Sequence, residues 1–276
     1  MHEFPVTGPV RLRVEFGAGN ITLKAQQTDS VSVDLRGNDD TGHALVDETV
    51  IEQRGDEVVV EVPRRTGFLR RTPQLQLTVT LPEGSRVDVR TESADVDATG
   101  RLGDTQVKTG SGDTRIEHAA DLTVQSGSAD VSIGSTDGFA TLSAGSGDVT
   151  ARAISGPGRV STGSGDIRVE RGDGPLQVNS GSGDIQVDAA AGDVNANTAS
   201  GDQFINRVTR GRVKLNSASG DIHVGVVDGT PVWLDVNTLS GSVSSALSGG
   251  EPPIEDEDAV EMRVNTVSGD ITLART

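Results

Sequence analysis

The chain has 276 residues, a formal charge of -17, 35 Gly, one Trp, no Tyr and no Cys. Gly at about twice its usual ~7% share, with almost no aromatic rings, excludes a core of large aromatics and leaves Val, Ile and Leu to drive burial. The missing Cys excludes disulfides, thiolate nucleophiles and Cys-based metal sites, and a pI near 4.5 argues against nucleic acid, whose phosphates need clustered Lys and Arg.

The start, MHEFPVTGPV, has no basic segment followed by an apolar run, so no signal peptide is read there. No stretch approaches ~18 apolar residues, so no transmembrane segment is read and the chain as written reads as cytoplasmic. Residues 1–85 read as a strand-rich N-terminal cap continuous with the rest of the chain. Val10–Glu15, Val31–Leu35, Val46–Gln53, Glu57–Val62 and Leu75–Leu81 alternate or run apolar. Arg54-Gly55-Asp56 joins two of these as a hairpin turn. Next comes a basic loop, Arg64-Arg65-Thr66-Gly67-Phe68-Leu69-Arg70-Arg71. Arg64, Arg65, Arg70 and Arg71 are candidate contacts for anionic lipid or an acidic partner, with Phe68 and Leu69 able to insert. Four Arg is few for such contacts, and a solvated hairpin loop is the plainer account of them.

Residues 86–276 are built from a repeat. Ser-Gly-Asp followed by an aliphatic residue recurs, with the acidic position at Asp95, Asp113, Asp130, Asp148, Asp166, Asp184, Asp202, Asp221 and Asp270, and Ser242 in that place once. The spacings are 18, 17, 18, 18, 18, 18, 19, 21 and 28. A weaker match, Gly19-Asn20-Ile21-Thr22-Leu23, lies near the start. Aliphatic residues stand before the corner (Val160, Val178, Leu215) and after it (Ile167 with Val169, Ile185 with Val187). The period is two on both sides, which reads as strand, Ser-Gly turn, strand.

One such unit cannot bury its apolar side alone, but stacked units can. The expected fold is all-β: a parallel β-helix or β-solenoid of about ten rungs of ~18 residues, stacked ~4.8 Å apart into a rod of roughly 50 Å. An acidic loop insertion at 249–261, with Pro252-Pro253, accounts for the longest spacing. Charge is uneven: residues 1–90 carry 11 basic against 14 acidic groups, and residues 91–276 carry 13 against 27.

Two columns stand out. Stacking places the Asp residues in one row, where neighbouring carboxylates repel by roughly 1 kcal/mol per pair in water. Backbone N–H groups at the corner, helped by Arg115 and Arg168, offset this in one reading; Ca²⁺ between rungs does so in another. Five residues before the corner lie Asn179, Asn197, Asn216, Asn237 and Asn265, outside the aliphatic columns. They can form an amide ladder, as in other cross-β stacks, or a regular polar face for a partner. Trp233 reads as a cover near the irregular rungs, and the triplets at 54–56 and 171–173 read as turn chemistry.

No catalytic motif appears, and His2, His43, His118 and His223 are scattered without metal spacing. No cofactor is implied.

Leu81-Pro82-Glu83-Gly84-Ser85, then Val87-Asp88-Val89, then tandem Thr-Gly-Ser-Gly-Asp-Ile units resemble the bacterial putative-adhesin repeat domain, a domain of unknown function. The resemblance covers essentially the whole chain. It implies a β-solenoid, often joined to membrane segments of envelope proteins, with some members linked to surface adhesion or envelope stress. The expectation is therefore a non-enzymatic adhesin-like scaffold that presents a repetitive polar face to a protein, glycan or envelope surface. A regulatory module acting through the 64–71 loop and a polysaccharide-acting enzyme are the alternatives. Self-association by strand pairing is compatible with all of them.

Overall fold

A strand whose alternate residues are Val, Ile and Leu must cover one side, and this chain does so by coiling each unit onto the last. The computed structural model describes residues 1–63, 74–247 and 259–276. The basic loop Arg64–Arg71 lies outside the described residues, as do residues 249–258 of the acidic insertion. The described chain is an all-β parallel β-solenoid with one helix, and it divides into two compact units, Met1–Thr136 and Asp137–Thr276.

The first unit opens with β1 (His2–Pro5), β2 (Arg11–Gln26), β3 (Ser30–Gly37), α1 (Asp40–Glu48), β4 (Val50–Arg54), β5 (Glu57–Glu61) and β6 (Leu75–Pro82). Three rungs follow: β7 (Arg86–Leu102), then β8 (Thr105–Thr109) with β9 (Thr114–Ala119), then β10 (Leu122–Ser126) with β11 (Val131–Thr136). The long strand β2 is itself a rung. It runs parallel to β7, with Asn20 opposite Asp95 and Ile21 opposite Val96. The weak Gly-Asn-Ile match near the start is thus the same corner as in the later repeats. On the other side of β2 lie β5 and β6, also parallel to it. β1, β3 and β4 pair antiparallel, and Arg54-Gly55-Asp56 forms the hairpin turn between β4 and β5.

The strand expected over Val46–Gln53 begins only at Val50, because Val46–Glu48 belong to α1. Asp39 starts this helix: its carboxylate accepts the Gly42 N–H at 2.6 Å. Leu45 anchors it, 5% exposed. A Cβ at Gly37 would overlap the backbone of Gly42, so the helix seats tightly on the end of β3.

Among the described residues the second unit holds seven rungs. They are β12 (Ala140–Ala144) with β13 (Val149–Ile154), β14 (Gly158–Thr162) with β15 (Ile167–Gly172), β16 (Leu176–Ser182) with β17 (Ile185–Ala190) and β18 (Val194–Ser200) with β19 (Gln203–Val208). After these come β20 (Gly211–Ser219) with β21 (Ile222–Val226), β22 (Val232–Ser240) with β23 (Val243–Ser245), and β24 (Val260–Ser268) with β25 (Ile271–Arg275). First strands stack on first strands and second on second, all parallel and in register. Leu142, Val160, Val178, Ala196, Leu215 and Val264 form one fully buried core column; Val169, Val187, Ile205 and Val224 form another.

The last two rungs do not stack in chain order. β24 pairs with β20 on one side and β22 on the other, and β25 likewise lies between β21 and β23. The chain lays down its outermost rung first and then returns to fill the place beneath it. Residue 242 therefore ends the column of corner residues, after Asp221 and Asp270.

Candidate functional site

The corners explain the Ser-Gly-Asp motif atom by atom. A Cβ on Gly220 would overlap the carbonyl oxygen of Gly201 on the rung below, and Gly220 has φ 149°, a conformation few other residues accept. Each Asp then reaches along the stack. In the first unit, Asp113 N–H donates to Asp95 Oδ1 at 2.9 Å and Asp130 N–H to Asp113 Oδ1 at 3.3 Å. In the second unit, Asp148, Asp166, Asp184, Asp202 and Asp221 each accept the N–H of the next corner Asp at 2.7–2.9 Å. Asp270 accepts both the N–H of Ser242, at 2.7 Å, and its hydroxyl, at 2.9 Å. These two bonds hold the Asp270 carboxyl below its ordinary range.

This ladder also accounts for Ser242. A corner carboxylate serves the N–H of the rung above it, and among the described residues no further rung stands above residue 242. Arg115 pairs with Asp113 at 3.2 Å, as expected, whereas Arg168 pairs with Asp188 at 2.6 Å and not with its own corner Asp166. Arg171 and Asp173 pair at 2.7 Å, and the Arg171 hydrogen bond lowers the Asp173 pKa. Among the described residues no group of three or more His, Asp or Glu side chains could hold a metal ion.

Sequence reasoning missed a second set of corner groups. The last inward-facing position of each first strand carries Thr or Ser in nearly every rung. Thr109 Oγ1 accepts the N–H of Gly112 at 3.0 Å, whereas Thr162 donates to the carbonyl of Gly147 at 3.0 Å and Thr238 to that of Gly269 at 3.1 Å. The signal was visible as the Thr of Thr-Gly-Ser-Gly-Asp, which alternation turns inward.

The Asn residues form a continuous amide column. Asn197 Nδ2 donates to Asn179 Oδ1 at 2.9 Å, Asn216 to Asn197 at 2.9 Å, Asn265 to Asn216 at 3.3 Å and Asn237 to Asn265 at 3.5 Å. Below them the hydroxyls of Ser143 and Ser161 meet at 3.1 Å. A primary amide offers two N–H donors and two acceptor lone pairs. Along the stack an amide within this column uses one of each; the second N–H of Asn197 turns to Asn195 Oδ1 at 3.4 Å and that of Asn237 to Asp235 Oδ1 at 2.9 Å, whereas Asn179, Asn216 and Asn265 keep an N–H to turn outward.

Two residues earlier on each strand, and so on the same face, runs a parallel column: Thr141, Arg159, Gln177, Asn195 and Lys214. It lines a groove of about 480 Å³ whose floor and rim include Phe139, Pro157, Pro175 and Arg212. Phe139 is 46% exposed. Arg212 pairs with Glu261 at 3.4 Å, but among the described residues neither Arg159 nor Lys214 forms an ion pair. Trp233 also faces outward here, with the Arg263 guanidinium 5.6 Å from its ring centroid. Arg64, Arg65, Arg70 and Arg71 lie outside the described residues. No helix among the described residues is long and apolar enough to cross a membrane.

No curated protein matches the chain. Among solved structures it is similar to a putative adhesin from Bacteroides fragilis, at 13% identity and TM-score 0.42, covering 100% of this chain and 95% of that one. A putative adhesin from Parabacteroides merdae matches at 10% identity and TM-score 0.39, with the same coverage. A putative lipid binding protein from Parabacteroides distasonis matches at 15% identity and TM-score 0.37, again over 100% and 95%. The Toastrack DUF4097 family matches residues 10–207 and again residues 120–274. The repeated corners, the amide column and the parallel rungs therefore belong to a member of the Toastrack DUF4097 family.

Proposed function

We propose that the chain is a non-enzymatic, adhesin-like scaffold whose amide-lined face binds a polysaccharide. The observation that carries this reading is the Asn179–Asn197–Asn216–Asn265–Asn237 column beside the Phe139–Lys214 groove. A polysaccharide is a repeating array of hydroxyls, each both donor and acceptor. A column of amides with acceptor lone pairs to spare, and with spare N–H groups at Asn179, Asn216 and Asn265, suits it without demanding a single register. The groove adds apolar surface at Phe139, Pro157 and Pro175 for sugar ring faces. Arg159 and Lys214 add charge for acidic substituents.

Catalysis has little to work with here. The corner carboxylates follow the repeat and are bonded to backbone N–H groups along the stack, and none of these described corners is set apart from the others. The names of similar proteins, adhesins among them, are compatible with this reading.

An array of immobilised glycans tests the proposal. Retention on polysaccharides, competed by the soluble glycan, is the expected result. No retention on any glycan, with retention on anionic vesicles, would overturn it and move attention to Arg64, Arg65, Arg70 and Arg71.

A further inference from the structure

The two units end differently. In the first, the outer strands β1 and β4 are antiparallel and carry Glu3, Pro5, Glu52 and Arg54, the residues that usually keep a sheet edge from pairing. In the second, the outer rung β22–β23 has no such guard. From Val232 to Ser245 it contains no Lys or Arg and a single acidic residue, Asp235.

Its backbone is open. The Pro231 carbonyl accepts from Val260 N–H and that of Ser242 from Ile271 N–H, so these groups face the rung beneath. Alternation then turns the N–H and C=O groups of Val232, Leu234, Val236 and Thr238 to the free edge. Among the described residues no strand pairs with that edge.

Its core is open too. Met262 and Val264, one rung in, are 0% exposed, whereas their register partners Leu234 and Val236 are only half-buried. Leu239 is 84% exposed, Val267 53% and Val243 48%. A charge-poor strand edge with exposed apolar residues is an assembly surface.

We propose that this edge is where two copies of the chain pair, antiparallel about a two-fold axis. The second copy is favoured as occupant on two grounds. It presents a strand edge of the same pitch and a core end uncovered to the same degree, which are the two things this end lacks. The chain also carries a net charge of -17, so two copies repel over most of their surface, and the charge-poor β22–β23 edge is where that repulsion is least. A two-fold through Val236 would set Asp235 beside Asn237 of the second copy and keep the two Asp235 carboxylates apart. Because the pairing is isologous it closes at a dimer and does not run on into a fibre. This proposal does not depend on the polysaccharide reading, though a dimer would offer two amide columns to one surface.

Light scattering and sedimentation of the full chain at micromolar and higher concentrations test it. The expected mass is twice 28.5 kDa. Changing Leu239→Lys together with Val243→Lys, both already exposed, is expected to give a monomer with an unchanged circular dichroism spectrum. The same change at Val50→Lys in β4 is expected to leave the dimer intact. In the dimer, hydrogen exchange at the amides of Leu234, Val236 and Thr238 is expected to be slow. A monomer at every concentration, a dimer that survives the double Lys change, or a dimer broken by Val50→Lys would each overturn the proposal. Protected β22 amides in a monomer would also overturn it, and would mean that part of the same chain covers the edge.

Discussion

At the scale of single residues, the Ser-Gly-Asp corner is a steric and hydrogen-bonding device. Gly is there because the carbonyl of the rung below occupies the space of a Cβ. Gly220→Ala must relieve both that overlap and the positive φ, and is expected to cost roughly 2 kcal/mol in chemical denaturation. Ser219→Ala, at an exposed neighbouring position, is expected to change little. Asp is there because one carboxylate oxygen serves the next N–H in the stack. At the outer corner this has a pH signature. The folded-state pKa of Asp270 lies below the ordinary 3.8, so the unfolded chain takes up this proton more readily. The stability gained is complete above the ordinary carboxylate range and is lost as pH falls through the depressed value. Asp270→Asn keeps an acceptor oxygen but cannot titrate. Denaturation of the two proteins from neutral pH downward is expected to show the advantage of Asp270 shrinking below about pH 3.8. An advantage that grows on acidification would contradict the account.

At the scale of elements, the rungs were legible because period-two apolar runs, Gly-rich corners and a constant spacing all point to the same stacked strands. The helix was harder to see: Val46 joins visually to the Val50–Arg54 strand, and the capping Asp39 that starts α1 lies seven residues upstream of Val46. The exchange of the last two rungs was not legible from spacing, since register says which residues face each other but not which rung comes next. The only local sign is Ser242, a corner that lacks the acceptor a further rung would need. The Cys-free chain allows a direct check. Lys214 and Arg263 are register partners, ~4.8 Å apart across adjacent strands and within disulfide reach. Lys214 and Asp235 are separated by the intervening β24, roughly twice that distance and out of reach. Under mild oxidation, Lys214→Cys with Arg263→Cys is expected to link, and Lys214→Cys with Asp235→Cys is not. The opposite pattern would restore chain order to the stack.

At the scale of the whole molecule, the acidic groups concentrate in residues 91–276, with 27 acidic against 13 basic, yet the Asn face carries Arg159 and Lys214, together with Arg212 and Arg263 that both pair with Glu261, beside a neutral amide column. The column itself was legible in the sequence as a constant offset from the corner. The groove beside it was not, because Phe139, Pro157 and Pro175 stand in the connections between rungs, where no strand alternation assigns a direction. Arg159 and Lys214 were within reach of the same reasoning, two residues before the Asn positions and so on the same face. Removing three amides from the middle of the column costs about 1 kcal/mol per lost hydrogen bond, and the buried Val, Ile and Leu columns stay intact. The measurement that bears most directly on the central claim is therefore polysaccharide binding by the wild-type chain and by a variant with Asn197→Ala, Asn216→Ala and Asn265→Ala. Circular dichroism run in parallel checks that the variant is folded. A folded variant that binds at least about tenfold more weakly is the expected result; a folded variant that binds as tightly as wild type would contradict the assignment of this face.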